Sequence, residues 1–121
     1  MTRFDRSFLQ TITAAAILVC PTAFATEHAM DAEIDFLLVA VAESDCVFIR
    51  NGKEHAGPAA RDHLQMKRER GKKYYETTEE FIERIASKSS WSGKPYRIRC
   101  GDTEEDASAW FTRALESFRN R

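Results

Sequence analysis

The sequence predicts a mainly α-helical protein, a small four-helix domain with one disulfide and a short two-stranded β pairing. Apolar residues recur at helical spacing in four segments of the chain. Two short segments rich in β-branched and aromatic side chains, 46–50 and 96–100, are typical of strands. Each of them contains a cysteine, so one disulfide would join the two segments.

Residues 1–25 follow the pattern of a secretory signal peptide, with a basic start, an apolar run and the small-residue site Ala23-Phe24-Ala25. The apolar run is shorter than the roughly 20 residues that cross a bilayer as a helix. We therefore expect cleavage after Ala25 and a periplasmic protein without a membrane span in its mature chain. Residues 26–121 would form a single small globular domain, with its core at about 31–119.

Cleavage after Ala25 changes the charge and the cysteine content. The whole chain has 18 basic and 19 acidic side chains, and removing two arginines and one aspartate leaves 16 and 18, a net charge of −2. This balance argues against a nucleic-acid partner. Cys20 is removed, which leaves Cys46 and Cys100 as a pair, and in an oxidising compartment such a pair predicts a structural disulfide. The disulfide would close the long loop between Cys46 and Cys100, which would stabilise the folded domain by about 4 kcal/mol.

The first helix is predicted from a stripe of apolar residues at i, i+3, i+4 and i+7: Ile34, Leu37, Leu38 and Val41. The β-type segment 46–50 follows and stops at Asn51-Gly52, a strong turn signal. An alternative, in which the first helix continues through Phe48, is left open.

The second helix is predicted to run from Pro58 to Gly71, because proline suits a first helical position and glycine a C-terminal stop. The basic run 67–73 lies at its end, where cations complement the helix dipole, and we interpret it as solvated. Thr77 and Glu80 form a capping box at the start of a third helix, whose apolar side carries Phe81, Ile82, Ile85 and Ala86.

A serine-rich loop, 87–95, leads to the second β-type segment. The last helix has the clearest apolar stripe, from Ala107 to Phe118, with Thr103 or Ser108 as its cap. If the β-type segments pair antiparallel with Cys46 opposite Cys100, then Phe48 faces Ile98 and Arg50 faces Tyr96. No internal repeat is evident in the sequence.

Four motifs, in this order, resemble the YfeK-like family of small bacterial periplasmic proteins of unknown function. They are Phe48-Ile49-Arg50-Asn51-Gly52, then Ala60 with His63 and Leu64, then Phe81-Ile82, then Ser89-Ser90-Trp91-Ser92-Gly93-Lys94-Pro95-Tyr96. The likeness covers the chain from Glu33 to the last helix. It implies an exported, Gram-negative protein and supplies no activity, cofactor or catalytic residue.

The predicted β pairing would gather a cluster of hydrogen-bond donors able to hold a carboxylate, a phosphate or sugar hydroxyls. Its members are Arg50, Asn51, Ser89, Ser90, Lys94 and Tyr96. The competing interpretation is purely structural, because Asn51-Gly52 also serves as a turn and Arg50 also stacks on Tyr96.

Two sets of residues that contain histidine are candidate metal sites. If cleavage falls after Ala25, the new terminus Thr26-Glu27-His28 offers an amine, two backbone nitrogens and an imidazole, a square-planar set for Cu(II) or Ni(II). His55 and His63 fit no standard zinc spacing, and His63 suits a packed or hydrogen-bonded helix position.

No complete catalytic or cofactor motif is present in the sequence, since both Gly-x-Ser-x-Gly and Ser-x-x-Lys are missing. The sequence therefore favours a non-enzymatic binding or interaction module without a cofactor, whose partner is an envelope protein or a small polar or anionic ligand. The alternatives are a small periplasmic enzyme of the hydrolase type and a protein that binds copper or nickel through its mature N-terminus.

Overall fold

The computed structural model describes residues 14–18 and 22–121, with only the backbone described for residues 22–25. The basic start of the predicted signal peptide and Cys20 lie outside the described residues. The elements, in chain order, are α1 (Thr22–Glu43), β1 (Val47–Arg50), β2 (Lys53–Ala56), α2 (Gly57–Arg70), a 3-10 turn (Lys72–Tyr74), α3 (Thr78–Phe81) continued by a π-helical turn (Ile82–Ala86), β3 (Arg97–Cys100), β4 (Thr103–Asp106) and α4 (Ala107–Arg119).

The mainly α prediction is wrong, because the helices accompany a four-stranded antiparallel sheet with strand order β2-β1-β3-β4. The fold is therefore mixed α/β. The central strands β1 and β3 are the two predicted β-type segments, so α1 does not continue through Phe48. The missed strands, β2 and β4, lie at the edges, and their sequences Lys-Glu-His-Ala and Thr-Glu-Glu-Asp lack the β-branched and aromatic residues that signal a strand. Tight two-residue turns bring them into the sheet instead.

The predicted pairing of the central strands is confirmed. Phe48 lies opposite Ile98, and Cys46 and Cys100 form a disulfide with their Cα atoms 4.4 Å apart. His55 extends this row beyond Phe48, and Glu105 extends it beyond Ile98. The row from His55 to Glu105 therefore lies on the sheet face that contains the two buried central side chains.

The structure contains a repeat that the sequence did not reveal. A hairpin followed directly by a helix occurs twice, as β1-β2-α2 and as β3-β4-α4. The burial pattern is the same in both hairpins, with only the second residue of the first strand fully buried. The repeat was missed because corresponding side chains differ in chemistry, as His55 and Glu105 do in the edge strands.

The core lies between the sheet and the helices. The predicted α1 stripe is buried, and α4 contributes Ala107, Phe111 and Leu115. Gly57 begins α2 against the end of α1, where a Cβ atom on it would lie 2.4 Å from the carbonyl oxygen of Val41. Only glycine allows this close approach.

The helix starts follow the predictions in part. Thr77 caps α3 by accepting a hydrogen bond from the Glu80 amide at 3.1 Å, as predicted, but the Glu80 carboxylate accepts from the Glu76 amide rather than from that of Thr77. Neither Thr103 nor Ser108 caps α4. The Ala107 amide instead donates to the Tyr96 carbonyl oxygen at 2.8 Å, so the start of α4 is satisfied by the backbone before β3.

Candidate functional site

A groove of about 840 Å³ opens between α2, the π-helical turn and the loop 87–95, next to the end of β1. We call it the cationic groove because its lining includes Arg50, Lys67, Arg70, Arg84 and Lys88. Among the described residues, no aspartate or glutamate lines it. Two other surface hollows, of about 620 and 560 Å³, are lined by carboxylates as well as cations. Of these three hollows, the cationic groove is therefore the one whose described lining is net positive.

Of the five cations of this groove, only Arg84 forms an ion pair within the described residues, with Glu80 at 3.3 Å. Most arginines in the described part of the chain form ion pairs, for example Arg99 with Glu54 at 2.7 Å. Within residues 14–18 and 22–121, Arg50, Arg70 and Lys88 form none. Their charge therefore remains uncompensated at the groove.

A buried hydrogen-bonded chain underlies the groove. Lys67 is 7% exposed, and its Nζ atom donates to the Lys88 carbonyl oxygen at 2.6 Å and to the Tyr96 hydroxyl at 3.1 Å. The Tyr96 hydroxyl lies 3.4 Å from His63 Nε2. Because Lys67 has only donors, the Tyr96 hydroxyl accepts from it and can donate its own proton to His63.

Burial sets the protonation of this chain. It lowers the pKa of Lys67 to about 8, with the nearby charges of Arg50 and Lys88 acting in the same direction. Burial also lowers the pKa of His63 to about 4, helped by the positive charges of Arg50 and Lys67 and by His55. The pKa of Tyr96 is raised by burial. Near neutral pH the chain therefore consists of an ammonium group, a phenol and a neutral imidazole.

The loop 87–95 is fastened to the β1-β2 turn. Asn51, at a positive φ of 50°, donates from Nδ2 to Ser89 Oγ at 3.3 Å, and its Oδ1 accepts from Ser92 Oγ at 2.7 Å. Ser89 is buried and also accepts from the Trp91 amide at 3.3 Å. Asn51 and Ser89 thus shape the groove wall while their own polar groups are engaged.

The structure brings most of the sequence-predicted donor cluster to this groove. The lining includes Arg50, Asn51, Ser89, Ser90 and Tyr96, whereas Lys94 does not line it. The loop turns at Ser92-Gly93 and places Lys94 beyond that turn, where its side chain is exposed.

A comparison with known proteins adds the family. Residues 28–119 match the model of a family of unknown function, DUF5329. The chain belongs to the DUF5329 family. It is also 39% identical, over 83 residues, to an uncharacterized protein of Salmonella typhimurium named YfeK, a match that covers 67% of this chain and 69% of the relative. The resemblance to the YfeK-like family is thereby confirmed. No solved structure matches the chain.

The DUF5329 match extends from α1 to the last residue of α4 and so includes every element of the cationic groove. The sequence did not identify Lys67, Arg70, Arg84 and Lys88 as groove residues. Lys67 was interpreted as part of a solvated helix end, which is wrong because its side chain is buried. One signal did point to it, since Lys67 shares the apolar face of α2 with Ala60 and Leu64.

The predicted copper or nickel set has a different location. Thr26, Glu27 and His28 lie within α1, remote in sequence from the groove lining. Binding there requires a free amine at Thr26, so that site stays a prediction about the cleaved chain. Within the described ranges, no group of three or more metal-ligating side chains converges, and no helix is long and apolar enough to cross a membrane.

Proposed function

We propose that this member of the DUF5329 family is a non-enzymatic binding module that holds a small anionic ligand in the cationic groove. The observation that carries the proposal is the groove lining itself, five cations without a carboxylate, of which Arg50, Arg70 and Lys88 form no ion pair within the described residues. Such side chains bind carboxylates and phosphates through charge-assisted hydrogen bonds.

The buried amine strengthens this proposal. A charged group removed from water is destabilising unless a counterion accompanies it. Lys67 is bonded to a carbonyl and a phenol rather than to a carboxylate. An anion in the groove would supply the missing negative charge, and its binding would raise the pKa of Lys67 back toward the ordinary value.

Binding is favoured over catalysis because the groove presents donors rather than a matched acid and base. His63 Nε2 is within hydrogen-bond distance of Tyr96, and none of the described lining residues is a carboxylate that could orient the imidazole as a base. A hydrolytic turnover that is lost in His63→Ala would contradict this part of the proposal and favour the enzyme alternative.

We also propose that the protein acts in the periplasm after cleavage at Ala25. The signal-peptide pattern and the Cys46–Cys100 disulfide support this location. Cleavage would shorten α1 by four residues, while residues 26–29 are exposed and the contacts of α1 with the core begin near Met30. Intact-mass measurement of the protein recovered from the periplasm tests the site, and a chain that keeps residues 1–25 would contradict it.

The binding proposal is tested with pyrophosphate, a small polyanion, titrated at constant ionic strength and followed by amide chemical shifts. We expect saturable binding, with the largest shifts in the loop 87–95 and around Lys67. Each of Arg70→Gln and Lys88→Gln should weaken binding by about ten-fold, because a charge-assisted hydrogen bond contributes roughly 1.5 kcal/mol.

Two matched controls separate the groove from general electrostatics. Arg61→Gln changes the same residue type on the same helix, and Lys94→Gln does so in the same loop, but neither residue lines the groove. We expect both controls to keep the affinity within about two-fold, as for a screened, exposed charge. Equal losses in groove and control variants, or a failure to saturate, would contradict the proposal.

A further inference from the structure

We propose that the ligand of the cationic groove is an organic anion with a flat ring, and that the ring stacks on the indole of Trp91. This inference rests on the proposed anion-binding function and goes further by naming the class of ligand. The observation that supports it is that the other part of the groove lining is apolar and exposed.

Three exposed apolar side chains lie on this one groove. Trp91 is 93% exposed, Tyr74 is 54% exposed and Met66 is 38% exposed, and all three line it together with the cations. Isolated exposed apolar residues are common on protein surfaces, but a group of them beside a charged cleft marks a binding surface. The groove therefore combines sites for an anion with sites for an apolar ring.

The other tryptophan shows what an indole does when it serves the core. Trp110 is half-buried and packs edge-on against Phe48, with ring centroids 5.9 Å apart, and against Phe111, at 5.3 Å. Trp91 contributes no comparable packing, since almost all of its surface faces solvent. Stability of the fold therefore does not explain a tryptophan at position 91.

The backbone that carries Trp91 is held in place although its side chain is exposed. The Gly93 amide donates to the Ser89 carbonyl oxygen at 2.9 Å, and the Ser89 amide donates to that of Lys94 at 3.0 Å. The Trp91 amide bonds to Ser89 Oγ, and Ser92 bonds to Asn51 across the groove wall. A ring presented from such a closed loop loses little backbone freedom when a ligand binds, which favours affinity.

The two halves of the lining select a ligand with two parts. A phosphate or carboxylate would lie among the cations, and a flat ring would cover the indole face, which attracts aromatic rings by stacking. A nucleotide and a free aromatic acid share this chemistry. Stacking of one base on one aromatic side chain changes affinity by about ten-fold or more.

The test compares three probes that differ by one part at a time: inorganic phosphate, ribose 5-phosphate and adenosine 5'-monophosphate. Calorimetry on the whole protein should give about ten-fold tighter binding for the adenine-bearing probe than for ribose 5-phosphate. Trp91→Ala should abolish that difference while leaving the affinity for ribose 5-phosphate within about two-fold. Because residue 91 is exposed, this variant should fold normally.

Fluorescence gives an independent reading. The chain has two tryptophans, so Trp110→Phe leaves Trp91 as the sole indole reporter, and its emission should be quenched by the adenine-bearing probe but not by ribose 5-phosphate. Trp110→Tyr provides the same readout if the phenylalanine variant is unstable.

The outcomes separate the two proposals. If the wild type bound the adenine-bearing and ribose probes with equal affinity, and Arg70→Gln weakened both, the stacking of a ring on Trp91 would be contradicted. The same result would support anion binding in the cationic groove. A preference for adenine that survives in Trp91→Ala would overturn the role of Trp91. Failure of all three probes and of pyrophosphate to bind would overturn the proposed function, and this inference with it.

Discussion

Lys67 Nζ lies 3.1 Å from the hydroxyl oxygen of Tyr96, so that a lysine of α2 is hydrogen-bonded to the tyrosine that precedes β3. The same nitrogen donates to the Lys88 carbonyl oxygen, and no ion pair to Lys67 occurs in the described part of the chain. The ammonium group is thus buried between neutral partners. Its charge destabilises the folded protein and at the same time attracts an anion, and both effects depend on pH.

Stability should rise with pH because of Lys67. Burial lowers its pKa in the folded protein to about 8, while the unfolded chain keeps the ordinary value of 10.5. Between these values the unfolded state binds more protons than the folded state, so the free energy of unfolding increases as the pH rises through this window. Urea unfolding of wild type and Lys67→Met at pH 7 and pH 10 should show the wild type gaining relative to the variant. Lys94→Met, at an exposed site, serves as control, and a parallel pH response in wild type and Lys67→Met would refute the assignment.

Anion affinity should respond to pH in the opposite direction. Lys67 is charged below pH 8 and loses its proton above it, so the attraction for an anion weakens as the pH rises. Sulfate is a suitable probe because its own charge is constant over this range. We expect its dissociation constant to increase several-fold from pH 7 to pH 9.5 in the wild type. In Lys67→Met the affinity for sulfate should be low and nearly independent of pH. If the dissociation constant of the variant depended on pH as strongly as that of the wild type, the titrating group would be a residue other than Lys67.

The sequence predicted the centre of the sheet better than its edges. The pairing of Phe48 with Ile98 was predicted correctly because each β-type segment contains one cysteine. Placing Cys46 opposite Cys100 fixes the register of the two strands. The edge strands were missed because residues 53–56 and 103–106 have one fully solvated side and need few apolar groups. They form because turns at Asn51-Gly52 and Gly101-Asp102 return the chain, a tertiary effect that local composition does not report.

The site was predicted in part for a similar reason. Arg50 and Tyr96 follow from the strand register, so they could be placed together from the sequence. Arg84 comes from the π-helical turn, and Lys67 and Arg70 come from α2. Which faces of these helices meet depends on three-dimensional packing, and a charge run such as 67–73 does not show which of its members is buried. The buried lysine could be inferred only from its place on the apolar face of α2.

Gly57→Ala should destabilise the fold although alanine is the better helix former. A Cβ atom at position 57 would lie 2.4 Å from the Val41 carbonyl oxygen and 3.1 Å from that of Ser44, all of it backbone that cannot rotate away. We expect a loss of about 1–3 kcal/mol in the free energy of unfolding, as for other overpacked sites. Ala59→Gly, at an exposed position in the same helical turn, is the control, because it measures the effect of helix propensity alone on the free energy of unfolding. A gain in stability for Gly57→Ala would show that α1 and α2 can separate without cost.

The disulfide should account for a large part of the stability. Cys46 and Cys100 are 54 residues apart, and the bridge limits the freedom of a correspondingly long loop in the unfolded chain. The double variant Cys46→Ser/Cys100→Ser should lose about 4 kcal/mol in urea unfolding. Reductant should lower the wild type to the level of the variant and leave the variant unchanged. If reductant did not change the free energy of unfolding of the wild type, this role would be contradicted.

Tyr96→Phe should reveal how much the hydrogen bonds that link Lys67, Tyr96 and His63 contribute to the stability of the fold. Loss of the hydroxyl removes one acceptor from Lys67 and the partner of His63 Nε2, so one buried and one half-buried polar group lose a hydrogen bond at once. We expect a loss of about 2 kcal/mol near pH 7, because bonds from a charged donor contribute more than neutral ones. Tyr75→Phe is the matched control, since the Tyr75 hydroxyl makes a single long bond, 3.4 Å, to the Arg68 carbonyl oxygen. It should lose less than about 1 kcal/mol.

The size of the Tyr96→Phe effect should also depend on pH. At pH 9.5 most Lys67 side chains are neutral, since the pKa is about 8, and the bond that the variant lacks is then a weaker, neutral one. At pH 6.5 Lys67 is charged while His63, with a pKa of about 4, still accepts. The penalty of Tyr96→Phe should therefore be larger at pH 6.5 than at pH 9.5, whereas that of Tyr75→Phe should be the same at both. Equal penalties for Tyr96→Phe at the two pH values would mean that the Tyr96 hydroxyl does not accept from the Lys67 ammonium group.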